Sequence, residues 1–189
     1  TERKQAEVRI RHLTRIYASL SACNQAIVHS KNQEELFPLI CRAAVQHGGM
    51  KLARISLLDP GSRLLQTMAS FGEEIVPRPE APVSIDVEHP LGRGWSGTAV
   101  REGRPIWVQD FINDPMTIPW QERGAQEGWR SSAALPLSCN GVVIGALGLY
   151  SGELNAFYGE IRDLLLEMAM DIGFALENYD VIGGWRERY

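Results

Sequence analysis

Two β-rich runs, RSSAALPLSC and VVIGALGLYSG, meet at Asn140-Gly141. Asn-Gly is a favoured pair for a two-residue type I′ turn, because both central positions need positive φ. The pair therefore predicts a hairpin, and with it an antiparallel sheet. A second hairpin is read upstream, where MKLARISLLD and RLLQTMASF flank the turn residues Pro60 to Ser62. In its first strand Ala53, Ile55 and Leu57 share one face, while Arg54, Ser56 and Leu58 share the other. One face reads as core and the other as mixed.

The rest of the chain has helical periodicity at both ends. Residues 2 to 29 contain no Gly or Pro and place Ala6, Ile10, Leu13, Tyr17 and Leu20 at alternating spacings of four and three. That spacing predicts a long amphipathic helix, with Arg3, Lys4, Arg9, Arg11 and Arg15 on a solvated side. After Ser30 and Asn32, which can cap, Leu36, Leu39, Ile40, Ala43, Ala44 and Val45 mark a second helix stopped by Gly48 and Gly49, with Pro38 read into its first turn. Phe157, Ile161, Leu164, Met168, Ile172, Ala175, Tyr179 and Ile182 predict a second long helix ending before Gly183. Between the hairpins, Gly72 to Pro90 carries Pro77, Pro79, Pro82 and Pro90 and reads as a long connection. PIWVQDF reads as a short strand, and MTIPWQERGAQEG as a short helix ended by Gly128. The order is helix, helix, hairpin, loop, strand, helix, hairpin, helix, which predicts one α+β domain.

Composition narrows the function classes. A chain of 189 residues with 44% hydrophobic and 22% charged residues is ordinary globular material. A net charge of -4 gives no bulk attraction to nucleic acid or an anionic membrane, so neither is an expected partner. Cys23, Cys41 and Cys139 lack CxxC spacing, which points away from a zinc site and from a disulfide scaffold, and towards a reducing, cytoplasmic setting. No run is long and apolar enough to read as a membrane span or signal peptide. The sequence begins at Thr1, which leaves room for segments upstream.

GRGWSGTAVREGRPIWVQDFINDP (Gly92 to Pro115), GWRSSAALPL, NGVVIGALGLYS and NAFYGEIRDLLLEMAMDIGFALEN together resemble the GAF domain family, over roughly residues 20 to 180. HGGMKLARISLLD and IPWQERGAQEGWRS look like a bacterial branch found in sensor histidine kinases and cyclic-di-GMP signalling proteins. TERKQAE resembles the linker that closes a PAS domain. The resemblance implies a central antiparallel sheet with the long terminal helices on one face. Short helices and loops would form a small-molecule pocket on the other. It divides the chain into a linker or signalling helix (1–19), the domain (20–180) and a tail (181–189). It also places the chain between an upstream PAS sensor and a downstream effector.

Within that frame the chemistry is sparse. GRGWSG lacks the Lys-Ser/Thr ending of a phosphate loop, the four histidines have no metal-ligand spacing, and no serine sits in a nucleophile elbow. His89 reads as a loop residue, and no cofactor is named by any motif. The family's cyclic-GMP signature and its bilin-attachment Cys-His pair are missing. Cys139, beside the hairpin turn, is the one thiol with an expectation of access. The tryptophans carry the remaining signal. Trp95, on a turn, and Trp120, on a short helix, are the candidate pocket aromatics, with Trp107 and Trp129 assigned to core packing. Arg54, Ser56, Asp110 and Arg130 are the candidate polar residues. The expected function is a non-enzymatic regulatory domain that binds a small molecule and relays a signal through terminal helices dimerised along the repeats Ile10, Leu13, Tyr17, Leu20 and Ile161, Leu164, Met168, Ile172. A ligand-free dimerisation spacer and a free-methionine-sulfoxide-reductase-like enzyme are the alternatives, the latter needing reactive loop cysteines.

Overall fold

The computed structural model describes residues 1–72 and 82–183. Much of the proline-rich connection, including Glu73, Glu74, Pro77, Pro79 and Glu80, and the end of the tail lie outside the described residues. Helix α1 spans Glu2–His29 without a break at the expected linker boundary, and Thr1 caps it by accepting from the Lys4 amide. Helix α2 spans Gln33–Gln46. Its start is doubly capped: Asn32 Oδ1 accepts from the Glu35 amide at 2.9 Å, and the Glu35 carboxylate accepts from the Lys31 amide at 2.9 Å. Pro38 lies one turn deeper than expected, as the sixth residue of a helix that begins at Gln33.

The strands are β1 (Leu52–Asp59), β2 (Leu64–Gly72), β3 (Val83–Ser84), β4 (Ile106–Val108), β5 (Ser131–Cys139) and β6 (Val142–Ser151). They form one antiparallel sheet in the order β3-β2-β1-β6-β5-β4. Both predicted hairpins are present, and Asn140 (φ 53°) and Gly141 (φ 79°) make the turn between β5 and β6. The central pairing is β1 with β6, with Ile55 opposite Leu147. Because side chains alternate, Ala53, Ile55, Leu57, Leu135, Leu137, Leu147 and Leu149 all reach one face.

That face is covered by α1, α2 and α5 (Gly159–Gly183), through Ile16, Leu20, Cys23, Phe37, Ile40, Leu165, Met168 and Ile172 among others. Each fully buried leucine or isoleucine contributes about 1.5–3 kcal/mol, so this layer is the main source of stability. Ile161, Leu164, Met168 and Ile172, expected in an intermolecular seam, are consumed by this core. Among the described residues, the large apolar side chains left exposed on the terminal helices are Val8, Ile10, Tyr17 and Val28 of α1, with Ile10 and Tyr17 from the expected seam, and Met170 and Phe174 of α5.

The opposite face carries a second core built from Leu52, Ala134, Tyr150, Ile106 and Val108. Over it lie α3 (Trp95–Glu102), a 3-10 helix (Pro115–Trp120) and α4 (Gln121–Glu127). Helix α3 was not foreseen: the glycines around Trp95 read as a turn, yet Gly94 is the cap and Trp95 the first helical residue. The architecture is thus the α+β sandwich expected from the pattern of elements, with the long helices on one side and the short ones on the other.

Candidate functional site

The even-numbered residues of β1 and, from Ala146 onward, of β6 point away from the long helices. Arg54 pairs across the ladder with Gly148, and Tyr150 with Leu52. The absence of a side chain at Gly148 leaves room above the sheet, and the Arg54 guanidinium lies 6.0 Å from the Tyr150 ring centroid. The roof comes from a segment braced by its own polar groups. Asp114 caps the 3-10 helix by accepting from the Met116 amide at 2.9 Å, with Pro115 at its first position, where no N–H is needed. The buried Thr117 hydroxyl donates to the Phe111 carbonyl, and Gln121 Nε2 donates to the Asp114 carbonyl at 3.0 Å. Arg101 Nη1 donates to the carbonyls of Ile85 and Gly92, both at 2.8 Å, and so ties the loop before α3 to the helix itself.

These elements enclose a cavity of about 270 Å³ between sheet and roof. Trp129 and Tyr150 form its floor, Trp95 and Trp120 its roof, and Arg54 and Arg123 its charged walls; Val83, Gly94, Ser96 and Pro119 complete the rim. Trp95, 4% exposed, is the hub of the aromatic set. Its ring meets Phe111 (5.2 Å, 85°), Trp120 (5.2 Å, 87°) and Tyr150 (6.2 Å, 79°) edge to face. Such pairs contribute about 0.5–1.5 kcal/mol each beyond their burial. Trp129 extends the set, 4.5 Å from Tyr150 and 5.7 Å from Phe111, and Arg123 lies 5.5 Å over the Trp129 ring. Arg54 and Arg123 therefore each stack on a floor aromatic, the geometry of a cation–π contact. The indole N–H of Trp95 is buried and, among the described residues, has no hydrogen-bond acceptor. A ligand acceptor at that atom would remove a desolvation cost of about 1–3 kcal/mol.

The glycines before α3 have steric reasons. A Cβ on Gly94 would stand 2.6 Å from the Trp120 ring, and Cβ atoms on Gly92 and Gly97 would collide with the carbonyls of Asp86 and Ser84. The Gly-rich approach thus lets the α3 N-terminus press against the roof tryptophan.

Of the residues expected at a site, Arg54, Trp95 and Trp120 line the cavity. Ser56 lies on the same sheet face, in a shallower cleft of about 40 Å³ with Thr67, Ser96 and Gly148. Asp110 and Arg130 are not in the lining. The Asp110 carboxylate accepts from Asn113 Nδ2 at 2.9 Å and its carbonyl from the Asn113 and Asp114 amides, so the residue shapes the loop into the 3-10 helix. Arg130 is exposed, and its backbone bridges Phe111 and Ser151. Trp129, assigned to core packing, is both core and cavity floor. Trp107 packs on the other core, against Phe157 at 5.9 Å and under Arg162. Arg123 and Tyr150 were missed. Tyr150 had a usable signal, since it follows Gly148 at strand period two on the face that Arg54 occupies. Arg123 had a weaker one, three residues after Trp120 on helical spacing.

The thiols lie elsewhere. Cys23 and Cys41 are fully buried between α1, α2 and the sheet, and burial pushes both up to about 12. Cys139, expected to be accessible, is 6% exposed and belongs to the helix-side core, because the last β5 residue turns inward against α5. His89 Nδ1 accepts from the Leu91 amide at 3.0 Å, which gives it a turn-forming role. Among the described residues no three His, Cys, Asp or Glu side chains converge as a metal site, and no helix is long and apolar enough to cross a membrane.

Solved structures with this architecture include both GAF domains and enzymes. The fold is similar to free methionine-R-sulfoxide reductase from Neisseria meningitidis in complex with its substrate, at 20% identity over 88% of this chain and 91% of that one, with a TM-score of 0.72. It is also similar to the GAF domain of an Acinetobacter phosphoenolpyruvate-protein phosphotransferase (14% identity, 89% and 97% covered, TM-score 0.68). A third likeness is to the A. aeolicus nlh2 GAF domain in an inactive state (14%, 91% and 99%, TM-score 0.66). At these identities the likeness is one of fold. Among curated proteins, none matches the sequence. A GAF domain family model matches residues 30–177, from the α2 cap to the last turns of α5, and the chain therefore belongs to the GAF domain family.

Proposed function

We propose that this chain is a regulatory sensor domain of a multidomain bacterial signalling protein. It binds a small planar molecule in the cavity under α3 and α4 and passes the occupancy of that cavity to its terminal helices. The observation that carries the reading is the cavity itself. Four aromatic rings, two guanidinium groups and one buried indole N–H without an acceptor surround about 270 Å³. Stacking surface plus a few directional polar groups is the chemistry of a metabolite site. The ligand is a flat ring system that carries an acceptor for Trp95.

Output through the helices rests on the other layer. Ile10 and Tyr17, seven residues apart on α1, and Met170 and Phe174, four apart on α5, remain more than half exposed after the domain has folded. A parallel homodimer would bury these residues and stack an upstream PAS sensor over a downstream cyclase, phosphodiesterase or kinase. The resemblance of Thr1 to Glu7 to a PAS linker supports that order.

The second reading, a reductase of free methionine sulfoxide, is favoured by the likeness to the Neisseria enzyme. The position of the thiols favours the sensor instead, since none of the three lines the cavity and all pack on the far side of the sheet. Two measurements test the proposal. Native mass spectrometry of the purified chain identifies what co-purifies, and tryptophan fluorescence follows titration with nucleotides and aromatic acids into wild type, Arg54→Ala and Trp120→Phe. Weakened binding in both variants supports the assignment. A binder indifferent to both, or turnover of free methionine sulfoxide with a thiol reductant, overturns it.

A further inference from the structure

On the helix side of the molecule, where α1 meets the ends of the central strands, a second cavity of about 320 Å³ opens. Its walls come from three separate places: His12 and Arg15 of α1, Gly49 and Lys51 of the link into β1, and Gly152 and Glu153 of the link out of β6. From the sequence, Arg15 belonged to a uniformly solvated basic face. In the structure it stays exposed, like Arg9 and Arg11, but it lines the cavity.

Its guanidinium lies across Gly49, whose φ is +75°; a Cβ there would stand 3.3 Å from Arg15 Nη1. The stem of Lys51 lies across Gly152 in the same way, 3.1 Å from where a Cβ would be, and its Nζ donates to the Glu127 carbonyl at 3.2 Å. Among the described residues, no carboxylate lies within ion-pair distance of Arg15 or Lys51. The acid in the cavity is already engaged, since Glu153 meets His12 Nε2 at 2.9 Å. His12 Nδ1 in turn meets the Tyr158 hydroxyl at 3.0 Å. The loop carrying Glu153 is held by its own bonds, the carbonyl accepting from Ser131 Oγ at 2.6 Å and the amide donating to Ser151 Oγ at 3.1 Å. The cavity is thus a braced pocket with two cations in excess and glycine backbone between them.

We propose that this cavity is a second ligand site, separate from the aromatic one, and that it takes a small phosphate-bearing anion. Arg15 offers a planar fork suited to two phosphate oxygens, and Lys51, in the same lining, adds a point charge. Glycine at 49 and 152 lets the two cationic side chains lie close over the backbone at the cavity wall. The site joins α1 to the sheet ends, so a bound anion clamps the root of the N-terminal helix.

The test is calorimetric titration of inorganic phosphate, pyrophosphate and ribose 5-phosphate into the 189-residue chain at constant ionic strength, which separates free phosphate from a phosphorylated metabolite as the preferred species. Saturable binding of at least one probe is expected, weakened at least about tenfold in Arg15→Ala and in Lys51→Ala, and unchanged in Arg9→Ala, a control on the same helix outside the cavity. Amide hydrogen exchange in residues 2–16 should slow when the probe is bound. Arg15→Gln, which keeps the stem, should lose affinity as Arg15→Ala does, and circular dichroism confirms the fold of each variant. Absence of saturable binding for all three probes, or equal losses in Arg9→Ala and Arg15→Ala, overturns the proposal. Either result leaves the aromatic-cavity reading standing, because no residue is shared between the two linings.

Discussion

Gly94→Ala is a small change with a calculable consequence. The added methyl carbon would lie 2.6 Å and 2.7 Å from Cη2 and Cζ3 of Trp120, where carbon atoms in contact prefer about 3.5–4.0 Å. The ring must therefore retreat by about 1 Å. The backbone itself does not object, since φ -76° and ψ 174° at Gly94 are ordinary for alanine. Overpacking of this kind costs about 1–3 kcal/mol, and the poorer helix cap adds a few tenths. The reduced freedom of the unfolded chain returns about 0.4–1 kcal/mol. The net destabilisation is about 1–2 kcal/mol, or roughly 2–8 °C in Tm for a chain of this length. Differential scanning calorimetry measures the shift, and steady-state fluorescence reports the movement of Trp120 against Trp95. The decisive control is Trp120→Leu: on that background Gly94→Ala should cost less than about 0.5 kcal/mol, because the clash is gone. An unchanged Tm and spectrum in Gly94→Ala, or the same penalty with and without the Trp120 ring, would refute the claim that glycine is required here by the roof tryptophan.

Four further outcomes are expected. Cys23 and Cys41 should resist an aromatic disulfide reagent at pH 8 in the folded protein and react only on unfolding. Because burial raises both above the ordinary 9.0 to about 12, their contribution to stability is complete below pH 9 and is lost as pH rises from 9 through 12; Cys41→Ala should flatten that decline in chemical denaturation. The wild-type chain should show a dimer mass by light scattering, shifted towards monomer by Ile10→Glu or Phe174→Glu; a wild-type monomer at high concentration would count against the helical output. Gly141→Ala, at φ 79° in the β5–β6 turn, should lower stability by about 1 kcal/mol without altering ligand binding, measured by urea denaturation.

The fold was legible where the signal was local and repeated. Alternation marked the faces of β1, the Asn140-Gly141 pair marked the β5–β6 hairpin, and spacings of three and four over more than twenty residues gave α1 and α5. The same criterion missed α3. That helix has eight residues, starts on a glycine cap and carries Gly97 within its first turn, so its propensity is poor and its existence depends on Trp95, Ala99 and Val100 packing on the sheet. Dimer contacts were misplaced on α5 for a related reason. Periodicity marks an apolar stripe without saying what it packs on, and the sheet took Ile161, Leu164, Met168 and Ile172 before any partner could.

By itself, the sequence determined the elements, their amphipathic faces and the antiparallel hairpins, because each depends on residues within a few positions of one another. It also marked Arg54 as anomalous, since a charged residue on a strand whose alternate positions are core must meet something. Only the tertiary structure decided what that is. The aromatic cavity gathers Arg54, Trp95, Trp120, Arg123, Trp129 and Tyr150 from β1, α3, the 3-10 helix, α4, the link after it and β6. The basic cavity likewise joins Arg15 to Lys51 across the α1–sheet junction. Distances between such residues are set by how layers pack, which no spacing along the chain encodes. Asp110 shows the converse: close in sequence to the roof and of suitable charge, it is turned by its bonds to Asn113 and Asp114 into a loop brace outside the lining.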